Sequence, residues 1–114
     1  MLAIETRNLS KTYVSGHFWS KRKLTALKNI NLKVEEKQVF GLLGLNGAGK
    51  TTLMKILLGL TSPTSGEAFV LGEKTGNIQK RKKIAYLPEM PYFPRYLTPL
   101  EILDFYGRLY EIKE

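Results

Sequence analysis

The sequence has no cysteine, and its 114 residues include one aspartate (Asp104) and one histidine (His17). The missing cysteines exclude a disulfide framework, a thiolate metal site and a cysteine nucleophile, and they permit a reducing, cytoplasmic setting. No apolar run approaches the roughly 18–20 residues that a membrane-spanning helix needs. Residues 1–5 lack the basic region and the long apolar stretch of a signal peptide. We therefore expect neither a membrane span nor a secretion signal.

The composition is that of one small globular domain with a basic excess. Hydrophobic residues make up 43% and charged residues 25% of the chain, which argues against wholesale disorder. The formal net charge is +8, and basic residues cluster at residues 21–23 and 80–83. Such clusters contact nucleic acid or anionic lipid in some proteins, but more often they form solvated faces. We expect no specific nucleic-acid partner.

The hydrophobic pattern predicts strands on both sides of a glycine-rich segment. Residues 39–43 are a continuous apolar run, which is typical of a strand buried on both faces in a parallel sheet. Residues 84–87 form a second such run. The remaining predicted elements are strands over 3–9, 24–34 and 67–71, a hairpin connection over 10–23 and a short basic helix over 77–83.

Two helices are predicted from periodicity and capping signals. Apolar residues from Leu53 onward recur at helical spacing, and Gly59 stands where a helix ends. Thr98, followed by Pro99 and by Glu101 three residues after Thr98, predicts a capping box at the start of the second helix. Asp104 falls within that second helix and is interpreted as a surface charge.

The glycine-rich segment fits the pattern G-x-x-x-x-G-K-[ST] from Gly44 to Thr51. Small residues at these positions let consecutive backbone N–H groups point into one concavity that holds phosphate oxygens. The helix that follows presents its positive end to the same anion. Lys50 would reach the outer phosphates, and the Thr51 hydroxyl would bind Mg²⁺. The predicted phosphate-binding residues are Gly44, Leu45, Asn46, Gly47, Ala48, Gly49, Lys50, Thr51 and Thr52.

From Asn8 to Tyr110, the sequence resembles the nucleotide-binding domain of an ATP-binding cassette (ABC) transporter. The segments that carry the resemblance are residues 8–13, 26–32, 59–66, 84–89 and 97–103, together with the phosphate loop. The resemblance implies ATP and Mg²⁺ as cofactors, Tyr13 as the ring that stacks on adenine, and Glu89 as a metal-contacting residue of the Q-loop. Glu89 stands where glutamine is usual in this family. In this respect the sequence resembles an exporter-like branch of the family. Phe18 and Trp19 lie in an insertion and either extend the adenine platform or pack on the sheet.

The same resemblance implies parts that this sequence does not contain. We find no Walker B strand with its catalytic glutamate, no Leu-Ser-Gly-Gly-Gln signature and no switch histidine; neither Asp104 nor His17 is placed to substitute. The chain therefore looks like the N-terminal half of such a domain, and we expect it to bind Mg-ATP without hydrolysing it alone. Two alternatives remain: an inactive or interaction fragment from a disrupted gene, and the N-terminal half of a split SMC-type ATPase head.

The resemblance implies an α/β fold with a partial P-loop core, an N-terminal antiparallel β portion and the start of a helical subdomain. The expected boundaries are 1–34 for the β portion, 35–88 for the P-loop core and 89–114 for the Q-loop region and helical start. We expect apolar surface around Leu42, Ile56 and Ile84 to be exposed. The implied partners are a membrane-spanning transporter subunit and a second nucleotide-binding domain, at the cytoplasmic face of the membrane.

Overall fold

The computed structural model describes residues 1–77 and 83–112, which fall within two compact units, Met1–Gln79 and Lys80–Glu114. Within these described residues, the first unit holds an antiparallel sheet with strand order β2-β1-β3-β4 and one helix, and the second holds one helix. The elements are β1 (Leu2–Ser15), β2 (Arg22–Glu35), α1 (Lys50–Leu57), β3 (Ser65–Val70), β4 (Glu73–Lys74) and α2 (Pro99–Leu109). Among the described residues, no helix has the length and apolar character to cross a membrane.

Strands β1 and β2 form a long hairpin that pairs from Leu2 opposite Glu35 to Ser15 opposite Arg22. The strands predicted over 3–9 and 24–34 are confirmed, but the connection predicted over 10–23 is wrong in extent, because both strands continue through most of it. These outer residues are polar and mostly exposed, so they lack the alternation that signals a half-buried strand. Inside the sheet, the buried Thr6 hydroxyl donates to the Ile30 carbonyl at 2.9 Å.

Helix α1 packs its apolar side on the sheet and forms the core of the first unit. The buried core residues are Leu9, Leu27, Leu53, Ile56, Leu57 and Ala68. Ile56 is fully buried, so the expectation that its surroundings are exposed is wrong: the antiparallel sheet covers this helix face. As predicted, α1 stops before Gly59, whose N–H donates to the Ile56 carbonyl at 2.9 Å. The next N–H, from Leu60, donates to the Lys55 carbonyl at 2.8 Å and closes a Schellman motif.

Two predicted strands are not formed. Residues 39–43 and 84–87 have no strand conformation, and Val39 and Leu43 are almost fully exposed. A strand exists only when a neighbour bonds its N–H and C=O groups, and the four strands of the described chain pair only with one another. The parallel part of the expected sheet is therefore not formed by residues 1–77 and 83–112. The basic helix predicted over 77–83 falls largely on residues 78–82, which lie outside the described residues.

Helix α2 begins with the predicted capping box. The Thr98 hydroxyl accepts from the Glu101 N–H at 3.3 Å, and the Glu101 carboxylate accepts from the Thr98 N–H at 2.7 Å. The backbone N–H and the hydroxyl of Thr98 hold the pKa of Glu101 below its usual value. Asp104 is exposed and pairs with Arg108 at 3.0 Å, which confirms the interpretation of Asp104 as a surface charge.

This cap should be sensitive to acid. Because the folded pKa of Glu101 is lowered, its contribution to helix stability is present above the unfolded pKa and is lost as the pH falls through the lowered folded pKa. The amide proton resonance of Thr98, followed by NMR, should titrate with a midpoint below that of an ordinary glutamate. Glu101→Gln keeps an oxygen acceptor and should abolish this titration. A midpoint at or above the ordinary value would contradict the capping role.

Candidate functional site

The predicted phosphate loop lies between the end of β2 and the start of α1 and turns back on itself before the helix. The Ala48 N–H donates to the Leu45 carbonyl at 3.0 Å, and Gly47 and Gly49 adopt positive φ angles of 85° and 93°. Residues 44–48 are exposed. The backbone between Gly44 and Gly49 therefore forms an open turn rather than a packed one.

The Lys50 ammonium group is folded back over this turn. Its Nζ donates to the Gly44 carbonyl and, at 3.1 Å, to the Leu45 carbonyl. A Cβ added to Gly44 would lie 3.2 Å from the Ala48 Cβ and 3.8 Å from the Lys50 Nζ, so a side chain at Gly44 would enter the space that the turn encloses. The space beside Gly44 is thus bordered by the Ala48 methyl group and by the Lys50 side chain with its cation.

The N-terminus of α1 follows directly on the same turn, and its first N–H groups have no side-chain cap. Leu53 makes the first helical N–H bond, to the Gly49 carbonyl at 2.9 Å. The three preceding N–H groups have no intrahelical acceptor, as at the start of any α-helix. Gly49, at the cap position, has no side chain to accept from them, and the first turn contains no acidic residue. The helix end therefore keeps its positive potential toward the loop.

Gly49 sits where the loop touches the sheet. A Cβ at this position would collide with the Ala26 carbonyl oxygen and would lie 2.8 Å from Cδ2 of Leu27. Both of these residues belong to β2. The close approach fixes the start of α1 against the hairpin, so β2 supports the loop. The sequence pattern did not reveal this support, because the motif says nothing about which strand lies beneath it.

Tyr13 lies beside the start of α1. Its hydroxyl is 3.4 Å from Oγ1 of Thr52, within hydrogen-bond range, and 37% of its surface is exposed. The Lys11 ammonium group lies 5.1 Å from the centre of the Tyr13 ring and covers one of its faces. Lys11 was not predicted here, although the period of two along a strand places it on the same side as Tyr13.

The structure brings Tyr13 and the loop together within the first unit, whereas Glu89 belongs to the second. Glu89 is exposed in a bend after residues 84–88. Thr51 is exposed in the first turn of α1. Within residues 1–77 and 83–112, no three His, Cys, Asp or Glu side chains are grouped so as to hold a metal ion.

Comparison with known proteins identifies the family. The profile of the ABC transporter family matches residues 27–108, which is most of the chain. The chain belongs to the ABC transporter family. The match contains the whole phosphate loop and the capping box of α2, while Tyr13 lies before it.

Relatives of this ABC transporter chain include ATP-binding proteins of ABC transporters. An uncharacterized ABC transporter ATP-binding protein of Synechocystis is 45% identical over 109 residues, which are 96% of this chain and 30% of that protein. The chain therefore spans about a third of that relative's length.

Solved structures confirm the fold class. The dimeric ABC transporter cassette MJ0796 superposes with a TM-score of 0.77 at 29% identity, over 97% of this chain and 48% of that one. A post-hydrolysis state of the same cassette, bound to ADP and Pi, superposes with a TM-score of 0.58 at 30% identity, over 69% of this chain and 35% of that one.

Proposed function

We propose that the chain supplies the nucleotide-phosphate site of an ABC transporter ATP-binding subunit. The loop from Gly44 to Thr52 binds the phosphates of ATP. One observation carries this proposal: the Lys50 cation lies over an exposed, glycine-containing turn that leads directly into the start of α1, which has no side-chain cap. Convergent backbone donors beside a cation are the groups that bind a polyphosphate.

The Lys50 ammonium group has a defined role in this proposal. Its present acceptors are two loop carbonyls, one of them at 3.1 Å, so the cation already lies across the turn that phosphate would enter. Phosphate oxygens, being charged, are stronger acceptors than carbonyls. Lys50 therefore exchanges carbonyls for phosphate with little movement of the backbone.

Tyr13 is proposed to stack on the adenine base. Its hydroxyl reaches Thr52 of the loop at 3.4 Å, which places the ring next to the phosphate site. Lys11 lies over one face of the ring, so the base takes the other face. An adenine ring against a tyrosine ring gains the usual offset-stacking interaction of flat aromatic groups.

Mg²⁺ is proposed as the second cofactor, with the Thr51 hydroxyl as a ligand. Oxygen donors suit this ion, which usually keeps several waters and binds through few protein groups together with phosphates. When bound, Mg²⁺ neutralises phosphate charge. Thr51 is available for this role because it is exposed in the first turn of α1.

We further propose that the chain binds Mg-ATP without hydrolysing it alone, since P-loop enzymes position the attacking water with residues that we do not find in this sequence. The partners are a membrane-spanning transporter subunit and a second nucleotide-binding domain, at the cytoplasmic face of the membrane. The dimeric cassette among the similar solved structures supports the second partner.

Replacement of Lys50 tests the site. Lys50→Ala should weaken Mg-ATP binding, measured by calorimetry, roughly 10- to 100-fold, because a hydrogen bond to a charged group contributes about 1.5–3 kcal/mol. Lys55→Ala is the matched control: Lys55 is an exposed lysine in the last turn of the same helix, away from the loop. It should bind as the parent chain does.

Phosphate release is assayed on the same samples. We expect no turnover by the parent chain or by either variant. Equal affinity in Lys50→Ala and Lys55→Ala would overturn the phosphate site. Turnover by the parent chain that disappears in Lys50→Ala would leave the site standing and overturn the proposal that the chain does not hydrolyse ATP alone. The absence of any nucleotide binding would favour an interaction fragment.

A further inference from the structure

The tip of the β1–β2 hairpin displays two aromatic rings to solvent. The Ser20 N–H donates to the His17 carbonyl at 2.9 Å and closes a β-turn with Phe18 and Trp19 at its two central positions. Phe18 is 88% and Trp19 95% exposed, so neither packs on the sheet. Their ring centres are 6.1 Å apart, with an angle of 71° between the planes. Turn apices usually carry small polar residues, which makes two large rings here unusual.

The backbone of this turn requires a glycine beside the rings. Gly16 has a φ of +117°, and a Cβ there would collide with the Ser20 carbonyl oxygen. The chain therefore folds back tightly just before the aromatic pair. This geometry holds Phe18 and Trp19 at the outermost point of the hairpin.

The hairpin behind the rings is strongly basic. From Thr6 to Val34 the sequence contains seven Lys or Arg residues and no Asp or Glu. Three of the seven, Lys21, Arg22 and Lys23, follow the turn directly and are exposed. In the part of the chain that the structure describes, none of these three forms an ion pair. The positive charge at this end of the hairpin is therefore available to an anionic surface.

We propose that residues 16–23, the aromatic–basic tip, bind the surface of a bilayer that contains anionic lipids. Phe18 and Trp19 enter the boundary between headgroups and acyl chains, where aromatic side chains concentrate. Lys21, Arg22 and Lys23 stay at the headgroup level and contact lipid phosphates. Apolar rings at the apex with cations immediately behind them match the layering of a membrane interface.

The same features favour lipid over nucleic acid. Single-stranded nucleic acid is bound by rings on which successive bases stack, alongside a groove of cations that follows the backbone. Here the two rings meet edge to face at 71° and stand beyond the cations at the end of a hairpin. This arrangement suits insertion into a layer better than stacking along a strand.

Trp19 is the only tryptophan of the chain and so reports directly on the tip. The emission of the 114-residue chain is measured with vesicles of phosphatidylcholine alone and with vesicles of phosphatidylcholine mixed with anionic phosphatidylglycerol, which give a negative surface. We expect a blue shift and protection from acrylamide quenching with the anionic vesicles only. The binding should weaken as salt is raised, because screening shortens the range of the attraction.

Two variants separate charge from ring insertion. Combined Lys21→Gln, Arg22→Gln and Lys23→Gln should weaken partitioning on the order of 100-fold, from about fivefold for each cation near the surface. The matched control changes Lys28, Lys33 and Lys37, which are also exposed, to Gln and should lose far less. Phe18→Ser keeps the Trp19 reporter. It should weaken partitioning about tenfold or more, because the transfer of the Phe18 ring out of water no longer contributes to binding.

Equal losses in the two triple-glutamine variants would assign binding to net charge alone. A shift of Trp19 emission with a single-stranded oligonucleotide but not with anionic vesicles would show that the tip binds nucleic acid. No shift of Trp19 emission with either would show that the tip is not a docking site. The outcome is independent of nucleotide binding, because Lys50→Ala leaves the tip unchanged.

Discussion

Gly49→Ala is expected to lower the free energy of unfolding of the first unit by about 2–5 kcal/mol. A left-handed backbone costs an L-residue about 1–2 kcal/mol, and forcing an extra carbon into a packed place costs about 1–3 kcal/mol more. Both apply at Gly49, which has a φ of 93° and whose added Cβ would collide with the Ala26 carbonyl. The measurement is urea unfolding, with hydrogen exchange of the Leu53 amide to locate the effect at α1.

Gly47→Ala is the matched control for this substitution. Gly47 has a similar φ of 85°, but a Cβ there would have no neighbour within 4 Å. It should therefore lose only the backbone contribution of about 1–2 kcal/mol. The difference between the variants isolates the close contact between the loop and β2. Equal losses, or a larger loss in Gly47→Ala, would show that this contact does not hold the start of α1.

The affinity for Mg-ATP should also differ between Gly49→Ala and Gly47→Ala. An alanine at Gly49 has to push the start of α1 away from β2, which moves Lys50 and the free N–H groups together. At Gly47 the added methyl group points into open space, so the loop keeps its place on the sheet. We expect the larger loss of affinity in Gly49→Ala, measured by calorimetry below the temperature at which either variant unfolds.

The phosphate loop and the α2 cap were predictable because their determinants are local. In the loop, Gly49 has a positive φ and Lys50 follows it; at the start of α2, Thr98 and Glu101 are three residues apart. The geometry of each of these features is determined by residues close in sequence. The support beneath the loop was not predictable in this way. The collision partner of Gly49 is Ala26, which lies more than twenty residues earlier and is chosen by the fold.

The predicted strands, in contrast, depend on residues that are distant in sequence. Residues 39–43 have the apolar composition of a buried strand, yet they are exposed and unpaired in the described chain, because composition does not supply a neighbouring strand. By contrast, the outer hairpin, with little apolar alternation, is well paired from Lys11 to Ser15 and from Arg22 to Leu27. Strand existence depends on partners distant in sequence, which a local pattern does not contain.

The core of the first unit connects stability to the proposed site. Helix α1 carries the loop at one end and buries Leu53, Ile56 and Leu57 against the sheet. The same short helix therefore both anchors the unit and positions Lys50. Any substitution that loosens this face should reduce nucleotide affinity without touching the nucleotide.

Ile56→Ala is expected to lower the free energy of unfolding by about 2–5 kcal/mol, the usual cost of truncating a buried aliphatic side chain to alanine. Ile56 has no exposed surface, and the total stability of a small domain is only about 5–15 kcal/mol. Far-UV circular dichroism in urea measures the loss. Because α1 then packs less firmly on the sheet, we also expect weaker Mg-ATP binding. The loss of affinity should increase with the fraction of molecules in which α1 is not packed on the sheet.

Met54→Ala is the matched control, since Met54 lies on the same helix and is 38% exposed. It should lose less stability and should keep its affinity for Mg-ATP. If Ile56→Ala does not fold, Ile56→Val removes a single methylene and should cost about 0.5–1.5 kcal/mol. Equal losses at Ile56 and Met54 would show that α1 is not held by this face. Lost stability with unchanged affinity would show that the loop keeps its geometry when the helix behind it loosens.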